Sequence, residues 1–386
     1  MRRMPSPFVF PTATPMPEPR PRRRSIVTRV SRDSGTSGES SPAKLATASA
    51  ADVSSAESPR RRVLSGEKGV HVELAEETTE IVEDPRTGEK HLRTTIHYRE
   101  LEPWQMDNIY ILRGYRRLQH TYAGCMRTLL FLHNETGNIF THLIGSLAFL
   151  ALFRVAYVHG LVGFETVGWQ DRAAMATFLA SAAGCMGMSA FFHAVTCHSF
   201  KVCRMWNKCD YVGIVLLICG STVPVLFYGF YCDARLQAVY ITMMTIFGSL
   251  TAFMCLSNRF ATPDFRYIRT ANFCALGLSG IFPLTHAVYL HGFTFVRQSM
   301  SFWLLVAMGV LYIIGAFIYA SRVPERLFPG RFDYWGHSHQ IFHCLVVAAA
   351  SVHYFGVLQS FRFWHERNPR CEIPMDDFVR SIYLEK

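Results

Sequence analysis

His193, Asp210, His339 and His343 are ionisable residues lying in or at the edge of long apolar runs. A charge at membrane depth is costly, and where one is retained it usually marks function. His339 and His343 are four residues apart, as are Ser189 and His193, so each pair shares one helix face. Imidazole nitrogens are good zinc ligands. Three of them with a fourth position left open match the catalytic kind of zinc site, whereas structural sites are closed and rich in cysteine. That chemistry requires histidines spread over about 150 positions to meet, so the elements that carry them decide the matter.

The chain has 386 residues, of which 50% are hydrophobic and 18% charged, with mean hydropathy +0.14. Soluble chains carry roughly 25% charged residues, and about 20 apolar residues cross a bilayer core. Seven runs qualify, at 139–158, 173–195, 211–230, 236–256, 270–290, 302–320 and 338–358. Composition and spacing therefore predict an all-α membrane protein, a seven-transmembrane helix bundle over 138–360 with a C-terminal tail at 361–386. Basic residues set its orientation. Arg113, Arg116, Arg117, Arg127, Lys201, Arg204, Lys208, Arg259, Arg266, Arg269, Arg322, Arg326 and Arg331 fall on one side, against Arg172, Arg235 and Arg297 on the other. The positive-inside rule then puts the N-terminus in the cytosol and the C-terminus outside or in a lumen. The net charge of +10 reads as topology and attraction to anionic lipid, and no basic-aromatic motif points to nucleic acid.

In this orientation the second run ends at His193, Asp210 opens the third, and His339 and His343 begin the seventh, all at one depth. A single intramembrane histidine is ordinarily a packed bundle residue; the shared depth of four groups is what favours a metal. His286 and His353 lie at other depths and His337 on another helix face, so these three read as structural.

Residues 1–66 are rich in Ser, Pro, Ala and Arg and read as a disordered cytosolic tail. An organelle transit peptide is the alternative. Residues 67–100 are mixed in charge, with turn residues at 83–90 between two strand-like runs. Residues 101–137 form a juxtamembrane segment, within which Leu118 to Leu132 has the spacing of an interfacial helix. Glu135, Asn138 and His142 share one face and read as a helix-entry hydrogen-bond network; a direct metal role is the lesser alternative, since Glu135 would sit too far toward the cytosol. Among eleven cysteines, Cys197, Cys203 and Cys209 fall in a cytosolic loop as reduced thiols, while Cys232 and Cys371 share the outer side, where a disulfide is compatible with the compartment.

Glu135 to His142 (ETGNIFTH), Ser189 to His193 (SAFFH) with Asp210, and Ser338 to His343 (SHQIFH) together resemble the three signature motifs of the progestin and adipoQ receptor family, closest to its adiponectin-receptor branch. The resemblance covers about residues 104–360. It implies a zinc ion held by His193, His339 and His343, with Asp210 contacting water at the metal and Ser189 in its surroundings. It also implies zinc-dependent hydrolysis of lipid amides such as ceramide, coupled to lipid-metabolism signalling, with membrane lipids and an extracellular protein ligand as expected partners and the plasma membrane as the expected location. Two other readings stay open: a non-catalytic receptor or scaffold with structural zinc, and a zinc or sterol homeostasis protein. The oligomeric state is left open.

Overall fold

A computed structural model of the chain describes residues 81–83, 90–92, 94–156, 164–260, 262–368 and 370–384. The basic tail at 1–66 lies outside them. Strand β1 (Ile81–Glu83) pairs antiparallel with β2 (Lys90–Leu92), Ile81 opposite Leu92, where the turn residues at 83–90 predict a hairpin. A second short pair joins β3 (Thr95–Ile96) to β4 (Tyr115–Arg116).

Helix α1 (Tyr122–Arg127) is followed by a 3-10 turn at Thr128–Leu130. The long helices are α2 (Thr136–Val155), α3 (Trp169–Val195), α4 (Phe200–Gly229) and α5 (Ala234–Leu256). Then come α6 (Arg266–Leu278), α7 (Ile281–His291), α8 (Phe293–Ser299), α9 (Phe302–Ser321), α10 (Ser338–Arg367) and α11 (Met375–Leu384). Among the described residues, seven segments are long and apolar enough to cross a membrane, with α6 and α7 forming one of them. The protein is a mostly helical membrane protein with seven spanning segments.

Three expectations change. Asp210 does not open its helix: α4 starts ten residues earlier at Phe200 and runs for 30 residues, about 45 Å at 1.5 Å per residue. Cys203 and Cys209 therefore lie on α4 and not in a loop. The fifth span is broken between α6 and α7, because Pro283 has no N–H for the Ser279 carbonyl. That carbonyl accepts instead from the Phe282 N–H at 3.2 Å. Finally, Leu118 to Leu132 is no interfacial helix. Only Tyr122–Arg127 is α-helical, and Cys125 is fully buried while Leu130 faces outward.

Helices α3 and α4 form the centre of the bundle, burying Phe178, Leu179, Met186, Val215 and Leu226. In lipid, helices associate through close packing and small residues rather than through hydrophobic burial. Gly213 and Gly220 supply this contact, since a Cβ at Gly213 would lie 3.2 Å from the Cys185 backbone and one at Gly220 would collide with the Ser181 hydroxyl. By contrast, α9 buries little beyond Gly315 and turns Trp303, Val310 and Phe317 outward. Such a face suits acyl chains. Helix directions put the end of α3, the first part of α4 and the start of α10 at one end of the bundle. At the opposite end a disulfide joins Cys232 and Cys371, 139 residues apart.

Candidate metal centre

His193 sits on the last turn of α3, and His339 and His343 on the first turns of α10. One ring nitrogen from each can be chosen so that all three lie within 4.8 Å of one another. The Nε2 atoms of His193 and His339 are 3.2 Å apart. Tetrahedral zinc with bonds of about 2.0–2.1 Å would set ligand nitrogens roughly 3.3 Å apart. His193 and His343 are buried, and His339 is partly so.

Hydrogen bonds fix which nitrogens are free. His193 Nδ1 lies 2.8 Å from Glu135 Oε2, and a carboxylate accepts, so Nδ1 carries the proton and Nε2 presents a lone pair. His343 Nδ1 lies 3.1 Å from the Asn138 carbonyl oxygen, which has the same effect. A ligating histidine normally donates its other N–H to a carboxylate or carbonyl in this manner. Two locked tautomers and three converging imidazoles fit a zinc ion.

Asp210 and Ser189 are both buried, on neighbouring turns of α4 and α3. The structure thus brings Ser189, His193, Asp210, His339 and His343 to one end of the bundle. His286, His337 and His353 are occupied elsewhere, beside the Tyr240 hydroxyl, the Asn134 carbonyl and the Ser221 carbonyl. His142 stacks flat on His343 with ring centroids 3.6 Å apart.

Residues before the first span complete the site, and sequence patterning does not single them out for it. Glu135 is the main surprise: it reaches His193 itself, and Asn138 Nδ2 donates to the same oxygen at 2.6 Å. Burial would raise its carboxyl, yet His193, Asn138 and Arg116 outweigh burial and hold it below the usual carboxylate range. Arg116 is buried against the end of α3, donating to the carbonyls of His193 and Ala194 and to the hydroxyls of Thr128 and Thr196. The last carbonyls of a helix have no partner within it, and a cation there also suits the helix dipole.

Glu325 does the converse for α10. Fully buried, it accepts from the Ser338 N–H at 2.7 Å and from Asn108 Nδ2 at 3.1 Å. It supplies negative charge at a helix N-terminus one residue before His339.

Two further groups lie close by. Cys125 and Cys197 bring their Sγ atoms to 3.6 Å. Contact with Cys125, aided by Arg116 and opposed by burial, lowers the Cys197 thiol to about 7, while the same contact pushes Cys125 up. His133, fully buried, accepts the Glu135 N–H at Nδ1. Burial and then Arg116 lower its pKa to about 3.

Comparison with known proteins gives this arrangement its family. The Haemolysin-III related family model matches residues 130–354. The Adiponectin receptor protein of Drosophila melanogaster is 40% identical over 280 residues, 72% of this chain and 62% of that protein. Progestin and adipoQ receptor-like protein 1 of Caenorhabditis elegans is 39% identical over 264 residues, 68% of this chain and 60% of that protein. ADIPOR-like receptor IZH2 of Saccharomyces cerevisiae is 37% identical over 277 residues, covering 72% of this chain and 87% of the yeast protein. The chain thus spans about three-fifths of the fly and nematode relatives. It belongs to the Haemolysin-III related family, the progestin and adipoQ receptors, on the side of the adiponectin receptors.

Proposed function

We propose that the protein is an adiponectin-receptor-like membrane protein that uses an intramembrane zinc site to hydrolyse lipid amides such as ceramide, coupling lipid turnover to signalling. The observation that carries this reading is the convergence of three imidazoles, two of them with a fixed tautomer, beside the buried pair Asp210 and Ser189. We place this end of the bundle in the cytosolic leaflet. The basic residues concentrate there, and the Cys232–Cys371 disulfide at the other end requires an oxidising compartment.

His193, His339 and His343 would hold the metal, and Glu135 and the Asn138 carbonyl would keep His193 and His343 in the ligating tautomer. When bound, zinc supplies Lewis acidity that polarises a carbonyl and acidifies water. Asp210 serves as general base, taking a proton from water at its carboxylate, and the Ser189 hydroxyl orients that carboxylate. A lipid enters sideways from the leaflet. The bundle's apolar side chains accept its acyl chain and keep bulk water from the amide.

Asp210→Asn in purified full-length protein tests the assignment. It should retain zinc while fatty-acid release from ceramide falls by roughly 10² to 10⁴, the usual contribution of a general base, and chelation should abolish release in the parent. Unchanged turnover in the variant removes Asp210 as base. A second reading, a receptor with structural zinc, draws support from the way the three ligands tie the end of α3 to the start of α10. A zinc-loaded parent that releases no fatty acid from any of several lipid amides would select it.

A further inference from the structure

The structure assigns Glu135 a role beyond helix entry: we infer that it is the positioning residue of the metal centre, a carboxylate that fixes the ring orientation and tautomer of His193 and raises its strength as a ligand. This deepens the zinc reading and rests on it.

Three observations converge. Glu135 Oε2 is 2.8 Å from His193 Nδ1, on the side of the ring away from Nε2, the nitrogen that faces His339. The same oxygen accepts from Asn138 Nδ2 at 2.6 Å, so the carboxylate is itself held from the next turn of chain. Glu135 is the N-cap of α2 but makes no side-chain cap bond to that helix. Its carboxylate is spent on the neighbouring helix, which a residue serving only to start α2 would not do.

The arrangement gives the three ligands unequal support. His343 is oriented by a neutral backbone carbonyl, whereas His193 is oriented by a charge. A carboxylate polarises an imidazole more strongly than a carbonyl does, which makes His193 the ligand most sensitive to its partner. Ligand-orienting partners of this kind are commonly worth 10- to 100-fold in metal affinity. The short spacing from Glu135 to Asn138, Asn138 to His142 and the packing of α2 on α10 also mean that one turn of α2 supports two ligands, Glu135 through its side chain and Asn138 through its carbonyl.

The test uses purified full-length protein and zinc alone, measured by competition with a chromophoric chelator, with cobalt substituted to report coordination in its visible spectrum. Glu135→Leu removes the acceptor, and Glu135→Gln keeps an oxygen that can accept the Nδ1–H while removing the charge. Zinc affinity should fall roughly 10- to 100-fold in Glu135→Leu and distinctly less in Glu135→Gln, with the parent cobalt spectrum kept in the Gln variant and altered in the Leu variant. If Glu135→Leu does not fold, a Gln variant that melts like the parent when zinc-saturated yet binds zinc more weakly supports the role alone. Parent-like zinc affinity in both variants overturns it, as does an equal loss in both accompanied by an equally lowered melting temperature at saturating zinc, the pattern of a merely structural residue. A parent that binds no zinc overturns the metal reading itself, and this inference with it. None of these readouts depends on amide hydrolysis.

Discussion

Arg116 is the clearest place to test whether the juxtamembrane segment belongs to the site. The residue is only 3% exposed and its guanidinium serves four acceptors, two of them the carbonyls of His193 and Ala194 at the end of α3. In Arg116→Met the hydroxyls of Thr128 and Thr196 keep partners, because Thr128 bonds the Cys125 carbonyl and Thr196 the His193 carbonyl. The Ala194 carbonyl does not fare as well: it keeps only a 4.0 Å contact from the Cys197 thiol. A buried carbonyl left without a partner costs about 1–3 kcal/mol, and the loss of a charge-assisted bond at His193 about 1.5–3 kcal/mol. Methionine relieves the burial of a charge and returns part of this. The net loss should be about 2–4 kcal/mol, or roughly 3–6 °C in melting temperature for a unit of this size. Arg116→Lys should lose about half as much, since a single ammonium cannot span all four acceptors.

The two readouts are thermal unfolding of purified protein in lipid nanodiscs and zinc affinity by chelator competition. His193 lies in the turn that Arg116 closes, so both should fall together in Arg116→Met. If the variant melts within about 1 °C of the parent and binds zinc as tightly, the guanidinium is a bystander and the segment merely lies against the bundle.

Three further outcomes follow from the same geometry. Gly137→Ala would drive a Cβ into the Gln340 carboxamide, where α2 meets the turn of α10 between His339 and His343; it should cost about 1–3 kcal/mol by overpacking in the parent and clearly less in a Gln340→Ala background, which by itself gives up the bonds to Gly336 and Tyr334, whereas an equal cost in both backgrounds would place the clash elsewhere. His133 has a folded pKa of about 3, below its unfolded value of about 6.5, so the unfolded chain binds the extra proton between those values. Its contribution is therefore complete above pH 6.5 and is lost as pH falls, at up to about 1.4 kcal/mol per unit; melting measured from pH 7 to pH 4 should fall less steeply in His133→Asn, and parallel curves would refute it. A protease-sensitive tag before Met1 should report cytosol and one after Lys386 the exterior or a lumen, whereas both tags on one side would dissolve the orientation proposed for the zinc end.

The bilayer explains what could be read from the chain. A span must be about 20 apolar residues long, so seven runs stood out, and the i, i+4 pairs at 189/193 and 339/343 placed chemistry at their ends. Hydropathy locates the span and not the helix. Lys201, Arg204, Asn207 and Lys208 continue α4 outside the apolar run, which is why Asp210 resembled a helix start. Depth reasoning keeps Glu135 off the ligand set and in a helix-entry network with Asn138, as found, but it measures where a backbone sits and so misses that the side chain also reaches His193 on another helix.

Arg116 was hidden more completely. In sequence it is one of several arginines on the basic side of the membrane, indistinguishable from Arg127, which is largely exposed. Positive-inside counting treats such residues as equivalent because topology responds to their sum. The folded chain does not treat them alike: Arg116 is taken out of water to close the helix that carries His193, and Arg322 to meet Asp107 at the end of α9. Burying an arginine is costly unless its donors are used, and here four acceptors on two stretches of chain use them. The same positive charge can therefore count toward topology and also hold the turn that carries His193, and only the second role should be weakened when arginine is replaced by lysine.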